Sequence, residues 1–180
     1  MNDSTSEVLR QAVEWARERQ APVLLASTSG VTAEKILSLL RDSKVPLTVV
    51  NHDGPSAPKD WWFRPDIRKK LRDAGHTVLS AKTGLIPPAL ARWVTKTFGI
   101  AALTGKDRAL EEILGTGGRV CFKIAKQAIE RGIVRTGEAV VAVAGRVTGA
   151  DTALALRVTQ TSPPRMALLE IISRPPSETG

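Results

Sequence analysis

The chain has 180 residues, 42% hydrophobic and 24% charged, a length and balance that fit one globular domain whose core needs no disulfide or metal to hold it. Its single cysteine, Cys121, excludes a disulfide framework, and its longest apolar runs are too short to span a bilayer. The first residues, MNDSTSEVLRQAVEWARERQ, lack the basic-then-apolar layout of a signal peptide, so the expectation is a cytoplasmic protein with no membrane partner, one domain over 1–180 with a core over about 5–175 and a flexible tail from about 174.

Val8, Ala12, Val13, Trp15 and Ala16 recur at helical spacing and predict a helix over 4–20, ended by Pro22. A first strand follows at 23–26, then a helix over 32–41 with Ile36, Leu37, Leu39 and Leu40 as one stripe. Pro46 leads a second strand at 47–50, and NHDGPSAPKDWWF, with a glycine and two prolines, reads as a loop. A helix over 66–74 closes at Gly75, and a short third strand occupies 76–80. Pro87 and Pro88 open a helix to 94, and Phe98-Gly99 makes a turn. A helix over 106–114 is broken by Gly115-Thr116-Gly117-Gly118, and a longer one over 119–131 is capped by Gly132. Residues 139–145 are apolar without alternation, which predicts a strand buried on both faces. Gly149-Ala150 turns into strands at 152–158 and 168–172. Alternating strands and helices predict a three-layer α/β/α sandwich on a mainly parallel sheet, and the last two strands, with no helix between them, make the sheet mixed.

The net charge of +8 and the pI of about 10.1 admit nucleic acid as a partner. The charges are spread, however, and only Arg68-Lys69-Lys70 with Arg72 cluster, on a helix where a solvated face explains them. Acidic small ligands suit the balance better.

LLASTSGVTAEKIL carries the chemistry. A buried strand ends in Ser27, Thr28, Ser29 and Gly30, and a helix begins at Thr32. In an open parallel sheet, ligands bind beyond the carboxyl ends of the strands. A helix starting there presents unpaired N–H groups and the positive end of its dipole, Gly30 admits close approach, and the hydroxyls of Ser27, Thr28, Ser29 and Thr32 add donors around Val31. That combination suits a phosphate. The plainer reading, a Ser29 or Thr28 cap, accounts for one hydroxyl of the four. GRVTGADTALALRV, residues 145–158, makes a second loop: Arg146 and Thr148 can donate to an acidic group, Gly149 and Ala150 turn, and Asp151 before Thr152 either braces the turn or acts as a base.

Other groups are sparse. His52, after the second strand beside Asn51, contacts a ligand or bonds a loop, whereas His76 starts the third strand at the opposite edge and is structural. Two histidines and a cysteine at these spacings make no zinc site. Cys121, early in a helix, is either activated or, as one of an inward-facing run, buried and inert. Trp61-Trp62-Phe63 are a lid, a subunit contact or ordinary packing.

PVLLASTSGVTAEKILSLLRDSKVPLTVVNHD and GRVCFKIAKQAIERGIVRTGEAVVAVAGRVTGADTALALRV together resemble the carboxy-terminal domain of pyruvate kinases. The layout is similar to stand-alone proteins built of this domain alone, in its Ser-Gly-x-Thr-Ala stretch at residues 29–33, its NHDG at 51–54 and its Gly-Ala-Asp-Thr-Ala at 149–153. Lys123 and the segment KTGLIPP depart from that pattern. In many pyruvate kinases these two loops hold the phosphates of a sugar-bisphosphate effector, and the resemblance implies that residues 27–32 and 146–152 hold a phosphorylated ligand here, a sugar phosphate or flavin mononucleotide (FMN); the expected assembly is a homo-oligomer. A chain of this length has no room for the barrel that carries pyruvate kinase chemistry. The expectation is a ligand-binding protein in which Ser27, Thr28, Ser29, Gly30, Val31 and Thr32 cradle phosphate, Arg146, Thr148, Gly149, Ala150, Asp151 and Thr152 form the opposite wall, and Asn51 and His52 complete the rim. The alternative is an enzyme acting on that ligand, with His52 or Asp151 in acid–base roles.

Overall fold

The computed structural model describes residues 3–51, 62–80, 105–145 and 149–175. The expected helix from Pro87 and the turn at Phe98-Gly99 lie outside them.

Helix α1 (Asp3–Arg19) buries Val8, Leu9, Ala12, Val13 and Ala16. It stops before Pro22, not at it: Gln20 turns left-handed at φ 52°, and the Ala21 amide donates back to the Ala16 carbonyl at 2.9 Å, a left-handed helix terminus. There follow β1 (Val23–Ala26), α2 (Val31–Leu40), β2 (Leu47–Asn51), α3 (Pro65–Asp73) and β3 (Thr77–Ser80). Pro65 opens α3, where its missing N–H costs nothing. Gly75 closes it at φ 78°.

Helix α4 (Gly105–Glu130) is two helices joined at Gly115, whose φ of 72° and ψ of 179° suit glycine alone. The expected break over residues 115–118 is therefore confined to Gly115. Thr116, Gly117 and Gly118 are helical, and of the two glycines only Gly117 faces a neighbouring loop, while a Cβ on Gly118 would meet Leu114. After Gly132, in the left-handed conformation at φ 69°, come β4 (Ala139–Ala144), β5 (Thr152–Thr161) and β6 (Pro164–Ser173). The last two strands are longer than the sequence pattern indicates, because cross-strand pairing carries both into a tight hairpin.

The six strands form one mixed sheet in the order β3-β2-β1-β4-β5-β6. The first four are parallel, β5 runs antiparallel to β4, and β6 antiparallel to β5. Helices α1, α2 and α3 share a core with Val23, Leu25, Val49, Val141 and Val143, while α4 packs Cys121, Ile124, Ala125 and Ala128 against Leu24, Val140, Ala142, Leu154 and Leu156 on the other face. This is the three-layer arrangement. Strand β4 contributes to both cores, which explains its uninterrupted apolar sequence. Trp15 ties α1 to the far edge through its Nε1, which donates to Glu170 Oε2 on β6 at 2.7 Å. No described helix is long and apolar enough to cross a membrane.

Candidate functional site

The chain runs outward from β1 through β2 to β3, then returns to place β4 on the other side of β1. The order therefore reverses between β1 and β4. In an open parallel sheet, such a switch point leaves a crevice above the carboxyl ends of the two strands, because their connections depart in opposite directions. The two loops singled out in the sequence leave those two ends. Register puts them in one row: Leu25 pairs with Val143, and the next residue, Ala144, pairs with Thr152 at the start of β5. Two interstrand steps, about 10 Å, separate the end of β1 from Thr152.

The first loop continues the ladder for one residue, with the Ser27 amide donating to the Val50 carbonyl at 3.1 Å. Helix α2 then begins at Val31 with Gly30 as its N-cap, and no side chain caps it. The Ser29 or Thr28 cap is thus not formed. The first amide to find a helical acceptor is that of Glu34, on the Gly30 carbonyl at 2.9 Å, which leaves the amides of Val31, Thr32 and Ala33 without an intrahelical partner. Ser27 and Thr32 are more than nine-tenths buried, with 7% and 8% of their surface exposed. Among the described residues, no group bonds either hydroxyl. Thr28 and Ser29 are half-buried, and Val31 is exposed.

Gly30 has a different role from the one expected. Its φ is 97°, and the face where a Cβ would sit meets Ile67 Cδ1 at 3.1 Å and Phe63 Cζ at 3.2 Å. The close approach that glycine permits here is to the apolar side of α3, not to a ligand. The Ser29 carbonyl accepts from the Arg64 amide at 3.0 Å, so the segment before α3 anchors the loop from behind. Phe63 accordingly packs on the domain, while Trp62 is half exposed. Trp61 lies outside the described residues.

The second loop is braced by α1. Thr5 Oγ1 donates to the Ala150 carbonyl and accepts from the Ala150 amide, both at 3.2 Å. Gly149, at φ 81°, lies against the same hydroxyl with no space for a side chain. The Asp151 amide donates to the Ala144 carbonyl at 3.0 Å, and the Asp151 carboxylate accepts from Thr152 Oγ1 at 2.7 Å. That pair lies directly on Gly117: a Cβ there would overlap Thr152 Oγ1 and fall 2.6 Å from Asp151 Oδ1. Gly117 is in the first turn of the helix that restarts after Gly115. It is the contributor that the sequence reading missed. Its signal is the small-residue stripe Gly117, Cys121, Ala125 and Ala128, at helical spacing on the sheet-facing side.

Arg146, Thr148 and His52 lie outside the described residues. Asn51 belongs to the end of β2, where it pairs with Ser80, and it is buried, not part of an open rim. Gly149, Ala150, Asp151 and Thr152 stand together across the switch point from Ser27, Thr28, Ser29, Gly30, Val31 and Thr32.

The remaining groups are structural. Cys121 is fully buried, donates to the Ala142 carbonyl at 3.2 Å, and has its thiol pushed far up by burial and by the Asp151 charge, so the activated reading fails. His76 lies at the amino end of β3, away from the site, where its Nδ1 accepts from the Leu47 amide at 3.4 Å. The basic residues of α3 make surface pairs, Lys69 with Asp73 at 2.7 Å and Lys70 with Glu34 at 2.5 Å, while Arg68 lies over the Phe63 ring at 5.2 Å. This is the solvated face that the sequence pattern suggests. Lys123 is exposed. No group of three or more His, Cys, Asp or Glu among the described residues could hold a metal ion.

The family model described as the pyruvate kinase alpha/beta domain matches residues 6–159, which covers both loops and every helix and strand from α1 to most of β5.

Proposed function

The chain belongs to the pyruvate kinase alpha/beta-domain family, and on that premise we propose that it binds a phosphate-bearing small molecule above the switch point between β1 and β4. One observation carries the reading. The start of α2 has no side-chain cap, and it stands beside Ser27 and Thr32, two residues more than nine-tenths buried whose hydroxyls no described group bonds. An oxyanion arriving there would accept from both hydroxyls, and the amides at the start of α2 and the helix dipole would act on the same anion. The ligands we favour are FMN and sugar phosphates, whose phosphate would occupy the α2 corner.

Two measurements test this. Protein purified with FMN bound is yellow and absorbs as flavin does. If it is colourless, thermal melting with FMN and with sugar phosphates gives a stabilisation that grows with the ratio of ligand to its dissociation constant. Absence of a shift with every phosphorylated compound and with inorganic phosphate would sink the proposal. Incubation with a bound ligand, followed by its recovery unchanged, separates a binding protein from an enzyme.

A further inference from the structure

We infer that Lys70 is a positioning residue of the phosphate site: it holds and neutralises Glu34, so that an anion can settle at the start of the same helix. The inference rests on the binding reading above and concerns the electrostatics of that site. Glu34 is the one acidic residue in the first turn of α2. Its amide makes the first intrahelical bond, to the Gly30 carbonyl at 2.9 Å, and its Cα lies about 5 Å along the helix axis from that of Val31. Helical side chains lean toward the N-terminus. Left alone, this carboxylate would take the positive end of the dipole for itself. It would also repel a phosphate at the amides of Val31, Thr32 and Ala33, from within a Debye length of about 10 Å.

Two cations meet Glu34, one on each oxygen. Lys70 Nζ, on α3, donates to Oε1 at 2.5 Å, and Arg64 Nη1, just before α3, lies 3.8 Å from Oε2. The two are not equivalent. Arg64 is committed elsewhere: its Nε and Nη2 donate to the two oxygens of Asp66 at 3.2 and 2.6 Å, and its amide donates to the Ser29 carbonyl at 3.0 Å. That amide bond also fixes the place of the cluster, beside the loop that leads into α2. Lys70 pairs with Glu34 and, among the described residues, with no other acid. An ion pair this exposed, with side chains 54% and 39% accessible, adds little to stability. Its consequence is local: the charge of Glu34 is drawn toward α3 and cancelled there. Without Lys70, a half-exposed carboxylate would share only an arginine already held by Asp66, and the phosphate would meet its charge.

The test is thermal melting of the full chain at low ionic strength over a range of inorganic phosphate and of fructose 6-phosphate, each variant being compared with its own ligand-free melt. The variants are Lys70→Met, Lys69→Met, Glu34→Gln and the double Lys70→Met/Glu34→Gln. Lys69 pairs with Asp73 at 2.7 Å on its own helix, so Lys69→Met removes the same net charge without touching Glu34. Lys70→Met should weaken phosphate binding by about threefold to tenfold, and Lys69→Met by less than about twofold. The loss in Lys70→Met should shrink at about 0.5 M sodium chloride. Adding Glu34→Gln to Lys70→Met should return the affinity to within about twofold of the unmodified protein. Equal losses in the two lysine variants would mean that only net charge acts, and would overturn the inference while leaving the phosphate site intact. A double variant as weak as Lys70→Met would do the same. If neither probe stabilises the unmodified protein, the binding reading itself fails and takes this inference with it.

Discussion

Helix α2 and the restarted half of α4 begin at the same edge of one sheet, yet their first turns are built in opposite ways. At α2 the cap is a glycine, the hydroxyls of the nearby Ser27 and Thr32 have no described partner, and the adjoining apolar packing, Phe63 and Ile67, lies behind the loop. At α4 the first turn is pressed against a carboxylate and a hydroxyl that already bond each other at 2.7 Å. Helix ends ordinarily satisfy their amides with a local side chain. The difference is between a helix start that no side chain caps and one whose first turn is covered by the protein's own polar groups.

The largest expected effect comes from converting one corner into the other. Ser29→Asp places a carboxylate at the start of α2, as Asp151 does at α4. The stabilisation by phosphate ligands should vanish in thermal melting. The ligand-free protein should melt at the same temperature or slightly higher, because an acidic residue at a helix N-terminus contributes about 0.3–1 kcal/mol. A full ligand shift in this variant would show that the anion binds elsewhere.

Gly30→Ala attacks the open corner through its backbone. A non-glycine residue in the left-handed region costs about 1–2 kcal/mol, and the new methyl would meet Ile67 and Phe63 at 3.1–3.3 Å, so both penalties have the same sign. A loss of about 2–3 kcal/mol in denaturant unfolding is expected. Gly117→Ala attacks the closed corner and should do less harm. Overlap with Asp151 and Thr152 costs about 1–3 kcal/mol, but alanine returns up to about 1 kcal/mol of helix propensity. The net loss should be smaller than for Gly30→Ala, and a net gain would mean that the Asp151 seat is looser than its geometry.

How much of this could be read from the sequence follows the same division. The open corner was legible, because a strand ending in three hydroxyls and a glycine before an amphipathic stretch is a local pattern. The buried strand β4 was legible for a similar reason: six apolar residues without alternation fit only a strand covered on both faces. The closed corner was not legible. Gly115, Gly117 and Gly118 look alike in sequence; only Gly115 breaks the helix, and what distinguishes Gly117 is a loop more than thirty residues later that occupies the space of its side chain. The switch point was equally hidden, since it depends on which side of β1 the chain places β4. Phe63 shows the same limit: that it supports Gly30, and does not close over a ligand, depends on a contact made only once α3 packs.

His76 gives the smallest effect and a control for the comparison, since it lies at the amino edge, far from both corners. Partial burial holds its imidazole below the ordinary value of 6.5, and the neutral ring accepts from the Leu47 amide at 3.4 Å. A group depressed in the folded state binds a proton more readily when unfolded. Its contribution is therefore fully present above pH 6.5 and is lost as pH falls through its lower folded value. Unfolding free energy should decline across that acidic window, and His76→Gln should flatten the decline while leaving phosphate-ligand stabilisation at neutral pH unchanged. A change in that stabilisation would mean that the two edges of the sheet are coupled, which the contrast between the helix ends does not require.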